Sequence, residues 1–240
     1  MKAVVLAAGA STRLNPLTSA LPKCLLPVGG KTVLDHQIDA LIENGVHELV
    51  LVIGFQKQLI LEHLKKVAPP INLTFIHNDA FATTGPIIGG LSPALGHFRE
   101  SLLFFHCDVL FESRAIETLL ASKHASALLY RKTTWDREAG KITVNSETDR
   151  VIELGKHIKK DRATGEYLQI AKFGKDFCAR LSKVVATRAK EKRDGFTIDA
   201  FNDVVHDQSI EVIGIPFNGI SLEIDTIEDY EQAQKLWKGA

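Results

Sequence analysis

The chain has 240 residues, 45% hydrophobic and 24% charged, with Lys+Arg 29 balanced by Asp+Glu 29. That size and balance suit one sizeable soluble domain and give no overall basic field for nucleic acid or a membrane surface, so a bound anion must meet a local cluster. Cys24, Cys107 and Cys178 form no CxxC pair, no apolar run reaches the roughly 18 residues of a membrane span, and Met1 runs straight into a strand-like segment; a disulfide framework, a zinc site, a secretory leader and a membrane span are disfavoured, and a reducing cytoplasm is expected.

Lys2–Ala8 is a short apolar run ending at Gly9, which reads as a buried strand. Val33–Asn44 carries Leu34, Ile38, Leu41 and Ile42 at helical spacing, with Gly45 as a stop. Glu48–Ile53 reads as a strand and Gln56–Val67 as a helix with Leu59, Ile60, Leu64 and Val67 on one face. Leu73–His77 is a third strand, and Pro86 suits the first turn of the next helix. Leu102–Cys107 closes on Asp108, Ser113–Lys123 reads as a helix capped by Ser113, and Ala127–Arg131 is a fifth strand. This alternation predicts a parallel sheet covered on both faces, with ligands beyond the carboxyl ends of its strands. Gly9 and Asp108 each follow such an end and are expected on one rim.

The rhythm then changes. Lys141–Asn145 and Arg150–Leu154 flank a polar SETD turn and read as a hairpin. Tyr167–Phe173 is a strand, followed by a helix from about Asp176 to Lys190. The charged stretch RAKEKRD (188–194) reads as a solvated helix end and loop. Ile198–His206 is a short helix, Ile210–Ile215 and Ser221–Ile224 are strands, and Thr226 suits the cap of a last helix to Lys238. The expected fold is α/β: a Rossmann-like, mostly parallel sheet flanked by helices, with a smaller β-rich lid on the substrate side. One domain, 1–240, is expected, with the change of rhythm dividing it into 1–133 and 134–240.

The chemistry concentrates first in VVLAAGASTRLNPLTSALPKCLLPVGGK. A strand running into AAGAS exposes consecutive backbone N–H groups, and small side chains let phosphate oxygens approach them. Leu6, Ala7, Ala8, Gly9, Ala10 and Ser11 form this candidate cradle. Arg13 follows where a guanidinium can grip phosphate in a bidentate way, and Lys23, fixed behind Pro22, suits neutralising a point of developing charge. Alone, Gly9 or Arg13 would read as an ordinary turn with a surface cation. Asp108 by itself reads as a cap or as a metal ligand. Glu223 and Asp225 alternate along a strand toward one face, while Glu228 and Asp229 suit the dipole of the following helix.

LAAGASTRLNPLTSALPKCLLPV closely resembles the LAAG-x-G-x-R-L…PK-x-LLPV signature of the nucleotidyltransferases that activate sugar phosphates and phospho-alcohols. Ala10-Ser11-Thr12 stands where many relatives carry a second glycine. The resemblance implies the nucleotide-diphospho-sugar transferase fold and an Mg²⁺-dependent reaction in which an acceptor phosphate attacks an NTP and pyrophosphate leaves. It makes Asp108, in FFHCDVLFE, the first Mg²⁺ ligand, with Cys107 a buried neighbour and no nucleophile. LEIDTIEDYEQA resembles the EIDT or EIDS segment of phosphocholine-type cytidylyltransferases and makes Asp225 the second ligand. By the same likeness, Asn78, Thr83, Thr84 and Gly85 meet the base and ribose, although many phosphocholine-type relatives carry asparagines where this chain has Thr83-Thr84-Gly85. Glu166 and Lys172, in GEY and IAKF, would meet the acceptor, with Glu223 on the same side; from the residues alone Glu166 and Lys172 read equally as a surface Glu–Lys hairpin edge.

The resemblance points to CTP ahead of UTP, dTTP or GTP, and to a phospho-alcohol, phosphonate or inositol phosphate ahead of a sugar-1-phosphate. It leaves a homodimer open. A catalytically silent nucleotide-binding subunit is the reading from a different class, against which Arg13, Lys23, Asp108 and Asp225 stand together. His36, His63 and His124 lack partners at metal spacing, His106 reads as packed in its strand, Ser11 has no paired base, and Trp135 with Tyr130 reads as packing ahead of a cation-binding frame.

Overall fold

A computed structural model of the chain describes residues 1–132 and 139–237; Trp135 lies outside them. Strand β1 (Lys2–Ala7) is apolar throughout its centre because both faces of the sheet are covered. Val4 and Leu6 pack on one face, Ala3, Val5 and Ala7 on the other. The short β2 (Pro27–Val28) and β3 (Lys31–Thr32) turn through Gly29 and Gly30, both at positive φ. Thr32 opens α1 (Val33–Glu43) through a capping box with Asp35. Then follow β4 (Glu48–Ile53), α2 (Lys57–Val67) and β5 (Asn72–His77). The helix expected at Pro86 is a π-helical turn, Pro86–Leu91, continued by the short α3 (Ser92–Ala94).

Strand β6 (Leu102–His106) leads through Cys107-Asp108 into β7 (Val109–Phe111), a reversal that the apolar run alone did not reveal. Helix α4 spans Arg114–Ala121, and Ser113 does not cap it; the Ser113 hydroxyl instead accepts from Asn44 Nδ2 at 2.9 Å. Strand β8 (Ala127–Arg131) ends the first half. β1 pairs in parallel with β4 and β6, and β4 pairs in parallel with β5, so their carboxyl ends share one rim.

The second half extends the same sheet. β9 (Lys141–Val144) and β10 (Val151–Gly155) form the expected hairpin. β11 (Gly165–Phe173) runs antiparallel to β6, β8 and β9, and α5 (Lys175–Lys190) and α6 (Thr197–Val205) follow. β12 (Ile213–Pro216) pairs with β8, β13 (Ser221–Glu223) with β7, and α7 (Ile227–Leu236) starts from a Thr226–Asp229 capping box. Among the described residues the main sheet has nine strands and is mixed: parallel through β6-β1-β4-β5, antiparallel around β11. The stretch 188–194 is not simply solvated, since Arg188 donates to Asp203 at 2.8 Å and Asp194 is engaged as described below.

Helices α1, α2 and α4 cover one face over Leu34, Ile38, Ile60, Leu64 and Ile116. The π-helical turn, α5 and α6 cover the other, where Phe104, Phe173, Phe177 and Phe201 interlock and the Phe173 and Phe177 rings stack at 4.1 Å. No helix among the described residues is long and apolar enough to cross a membrane. Phe173 is fully buried where strand and helices meet. Phe173→Ala is therefore expected to cost about 3–5 kcal/mol, read as a lowered urea midpoint; an unchanged midpoint would contradict this packing.

Candidate active site

The site is built from the rim inward. β6 ends at His106 and the chain reverses at Cys107-Asp108. Gln37, buried on α1, donates from Nε2 to the carbonyls of His106 at 2.9 Å and Val109 at 2.8 Å, which pins both ends of that reversal. β7 then pairs antiparallel with β13, with Val109 opposite Glu223, and the Ile224 amide donates to the Asp108 carbonyl at 2.9 Å. This register carries Asp225 to Asp108 across more than 100 residues of chain. Asp229 holds the arriving backbone by accepting the amides of Asp225 at 3.0 Å and Thr226 at 2.8 Å.

Asp108, Glu223 and Asp225 each offer an oxygen within 4.8 Å of the others. Lys23, delivered by the turn Lys23–Leu25 behind Pro22, is only 5% exposed. Its ammonium donates to Asp108 Oδ2 at 3.0 Å and to Asp225 Oδ1 at 2.5 Å. Arg13 donates from Nη2 to Asp225 Oδ2 at 2.9 Å. Burial disfavours the Lys23 charge, but Asp108 and Asp225 outweigh it and raise its pKa above the ordinary lysine value. Burial likewise opposes ionisation of Asp108, and Lys23 reverses the balance, lowering its pKa. Glu223 goes the other way: burial first, then the charges of Asp108 and Asp225, push it up to about 8 despite a hydrogen bond from Gln169.

The donor set fits a hard divalent cation. All three groups offer carboxylate oxygens, as Mg²⁺ requires. Asp108 Oδ1 is buried and accepts no hydrogen bond among the described residues, so one ligand oxygen is left unspent. Cys107 takes no part, because its hydrogen bond with Cys24 and its burial raise its pKa and keep the thiol neutral.

Beside the carboxylates lies a cleft lined by Leu6, Ala8, Gly9, Ser11, Asn78 and Asp108, among others. Its far wall is Phe81, Thr84 and Gly85 with Pro86, Gly89 and Gly90 of the π-helical turn. Asn78 joins the sides: its Oδ1 accepts the Ala80 amide at 3.0 Å and its Nδ2 donates to Thr84 Oγ1 at 3.3 Å. Gly54, at the carboxyl end of β4, forms the seam, for a Cβ there would lie 2.9 Å from the Ala8 carbonyl, the Asn78 carbonyl and Phe81 Cβ. Ser11 adopts φ 49°, which turns the loop back, and Thr18 Oγ1 donates to its carbonyl at 2.8 Å.

Most sequence candidates thus meet at one rim. Leu6, Ala8, Gly9, Ser11, Asn78, Thr84 and Gly85 line the cleft. Ala7 does not, because strand alternation turns it to the opposite core; Ala10 and Thr83 lie in the flanking loops, outside the lining. Glu166 stands opposite Arg131 and Lys141, where β11 overshoots the carboxyl end of β6. Lys172 is a correction. β11 runs antiparallel to β6, so Lys172 pairs with Leu103 at the far end, where its ammonium donates to the Ser122 carbonyl at 2.7 Å. Sequence reasoning missed Gln37, Gln169, Phe81 and Asp194. Gln37 left a signal, since it sits on the apolar face between Leu34 and Leu41, where an uncharged polar residue needs a buried partner.

A family model for the MobA-like NTP transferase domain matches residues 3–191. The chain belongs to this family. Its relatives are nucleotidyltransferases. A UTP–glucose-1-phosphate uridylyltransferase of Haloferax volcanii is 27% identical over 98% of this chain and 96% of its own length. A CTP:phosphoglutamine cytidylyltransferase of Campylobacter jejuni is 25% identical over 81% of this chain and 80% of its own. A bifunctional GlmU protein of Methanococcus maripaludis is 32% identical over 168 residues, but the match spans only 38% of that protein. The solved CTP:phosphocholine cytidylyltransferase of Streptococcus pneumoniae superposes with a TM-score of 0.74 over 98% of both chains at 19% identity, which supports the transferase fold.

The raised pKa of Glu223 fixes the sign of a pH effect. An unfolded glutamate titrates near 4.5, the folded one at about 8. Between these values the folded transferase keeps a proton that the unfolded chain has lost, so this group's contribution to stability falls as pH rises and levels off above about 8. In EDTA, Glu223→Gln is expected to flatten that part of the stability profile; parallel urea-derived profiles for the two proteins would refute the assignment.

Proposed function

We propose that this transferase joins a nucleotidyl group from an NTP to a phosphorylated small molecule, with CTP the favoured nucleotide and Mg²⁺ the metal. The observation that carries the reading is that Arg13, Lys23, Asp108, Asp225 and Glu223 converge beside a cleft that Asp108 and the glycine loop line. In the proposed reaction an acceptor phosphate oxygen attacks the α-phosphorus, the bond to the bridging oxygen of pyrophosphate breaks, and pyrophosphate leaves. Such chemistry rests on positioning and charge neutralisation and needs no covalent intermediate.

Placement supports the following roles. The amides of the Ala8–Ser11 loop and Arg13 hold the triphosphate, while Asn78, Phe81, Thr84 and Gly85 bound the space for base and ribose. Lys23 stays protonated at any working pH and opposes charge on the reacting phosphate. Asp108 and Asp225, with Glu223 beside them, would hold Mg²⁺, which supplies neutralisation of nucleotide and acceptor oxygens. Glu166, at the edge beyond β6, belongs to the acceptor side.

CTP is favoured by the EIDT and GEY…IAKF likeness to phospho-alcohol cytidylyltransferases and by the Campylobacter relative. A UTP-dependent sugar-1-phosphate transferase is the second reading, favoured by the Haloferax relative's match along almost the whole chain. Pyrophosphate release with CTP, UTP, dTTP and GTP against phospho-alcohols, inositol phosphate and sugar-1-phosphates separates them. Turnover with one pair settles base and acceptor; turnover with none returns the silent-subunit reading.

With the productive pair, Lys23→Ala is expected to lower kcat by about 10²–10³-fold, with a much smaller change in the nucleotide KM. A folded variant with near-normal kcat would exclude the role given to Lys23.

A further inference from the structure

The far wall of the cleft is held from outside the family's matched region. Asp194 lies in the loop between α5 and α6 and reaches back to the first turn of the π-helical segment. Its Oδ2 accepts the Gly85 amide at 2.6 Å, and its Oδ1 accepts the amides of Ile87 at 3.1 Å and Ile88 at 3.2 Å. Residue 86 is proline and has no amide to offer, so one carboxylate takes every N–H from position 85 to 88. The contact is close: a Cβ on Gly85 would meet Asp194 Cγ at 3.0 Å. The next residues tie the same loop to the rim, because Thr197 Oγ1 lies 2.9 Å from His106 Nε2, and His106 lines the cleft.

We propose that Asp194 is a positioning residue for the nucleotide, setting the distance between the Gly85–Gly90 wall and the Ala8–Ser11 loop. A six-residue turn that contains Pro86, Gly89 and Gly90 has little intrinsic tendency to hold its shape. Gly85 and Gly89 both line the cleft, so a loosened turn moves its wall directly. Asp194 itself is not among the cleft-lining residues and makes no contact with the carboxylate cluster in the described structure; its influence passes through the backbone it binds. Its loss therefore weakens nucleotide binding and leaves the phosphate chemistry in place. This inference rests on the nucleotidyl-transfer reading.

The test uses the whole chain and binding of Mg-CTP and Mg-UTP by calorimetry, without acceptor, alongside hydrogen exchange at the Gly85, Ile87 and Ile88 amides. Asp194→Ala is expected to weaken nucleotide binding about tenfold and to deprotect those amides, and Asp194→Asn, which keeps an acceptor oxygen, to fall between. Where turnover is measured, nucleotide KM rises and kcat stays within about threefold of wild type. Asp203→Ala, which breaks the Arg188 pair on α6 away from the cleft, controls for general loosening and should leave nucleotide affinity unchanged. If Asp194→Ala fails to fold, Asp194→Asn decides. Unchanged affinity and protection in a folded Asp194 variant would overturn the proposal while leaving the transferase reading intact. Wild-type protein that binds neither nucleotide would instead bring down that reading, and this inference with it.

Discussion

Three carboxyl groups within 4.8 Å would repel one another if all were ionised, and the rim of this fold is arranged to hold them there. The counterweight is Lys23, enclosed by protein and bonded to two of them, with Arg13 on the outer side. Coulombic attraction at such distances is strong only because water is largely excluded, and the same exclusion makes any unpaired charge costly. Glu223 marks the limit of the arrangement, for burial and the charges of Asp108 and Asp225 outweigh Lys23 and push its pKa up to about 8. The backbone supplies the rest: β7 and β13 fix the register, Gln37 clamps the reversal before β7, and Asp229 fixes the entry to α7.

Asp108 belongs to both halves of the site, since it joins the carboxylate cluster and also lines the cleft. A phosphate chain lying along the glycine loop would thus end where the acidic and basic groups already balance. Position at the sheet's carboxyl rim explains why parts so distant in sequence can cooperate, because each parallel strand ends at the same level.

Much of this was legible in the residues. The strands β1, β4, β5, β6 and β8 show as apolar runs, and the charged residues of the opening motif and of EIDT meet one another at the rim. What escaped was set by direction and by distant partners. The likeness of GEY and IAKF to the family's acceptor segment points Lys172 to the acceptor, but β11 is nine residues long, and its antiparallel course carries Lys172 away from the rim. Ser113 carries a capping residue's chemistry, yet Asn44 claims its hydroxyl. Asp194 hides in a run of charges whose ordinary meaning is solvent exposure; only the folded backbone brings it beneath Gly85.

Gly54 occupies the point where the glycine loop, the Asn78 segment and Phe81 come together, each close enough to exclude a single methyl group. Smaller than glycine there is nothing, and the next size up already collides with two carbonyl oxygens. The seam therefore cannot be adjusted in steps. Any change in the shape of this cleft must come from its other walls, around a seam that stays as it is.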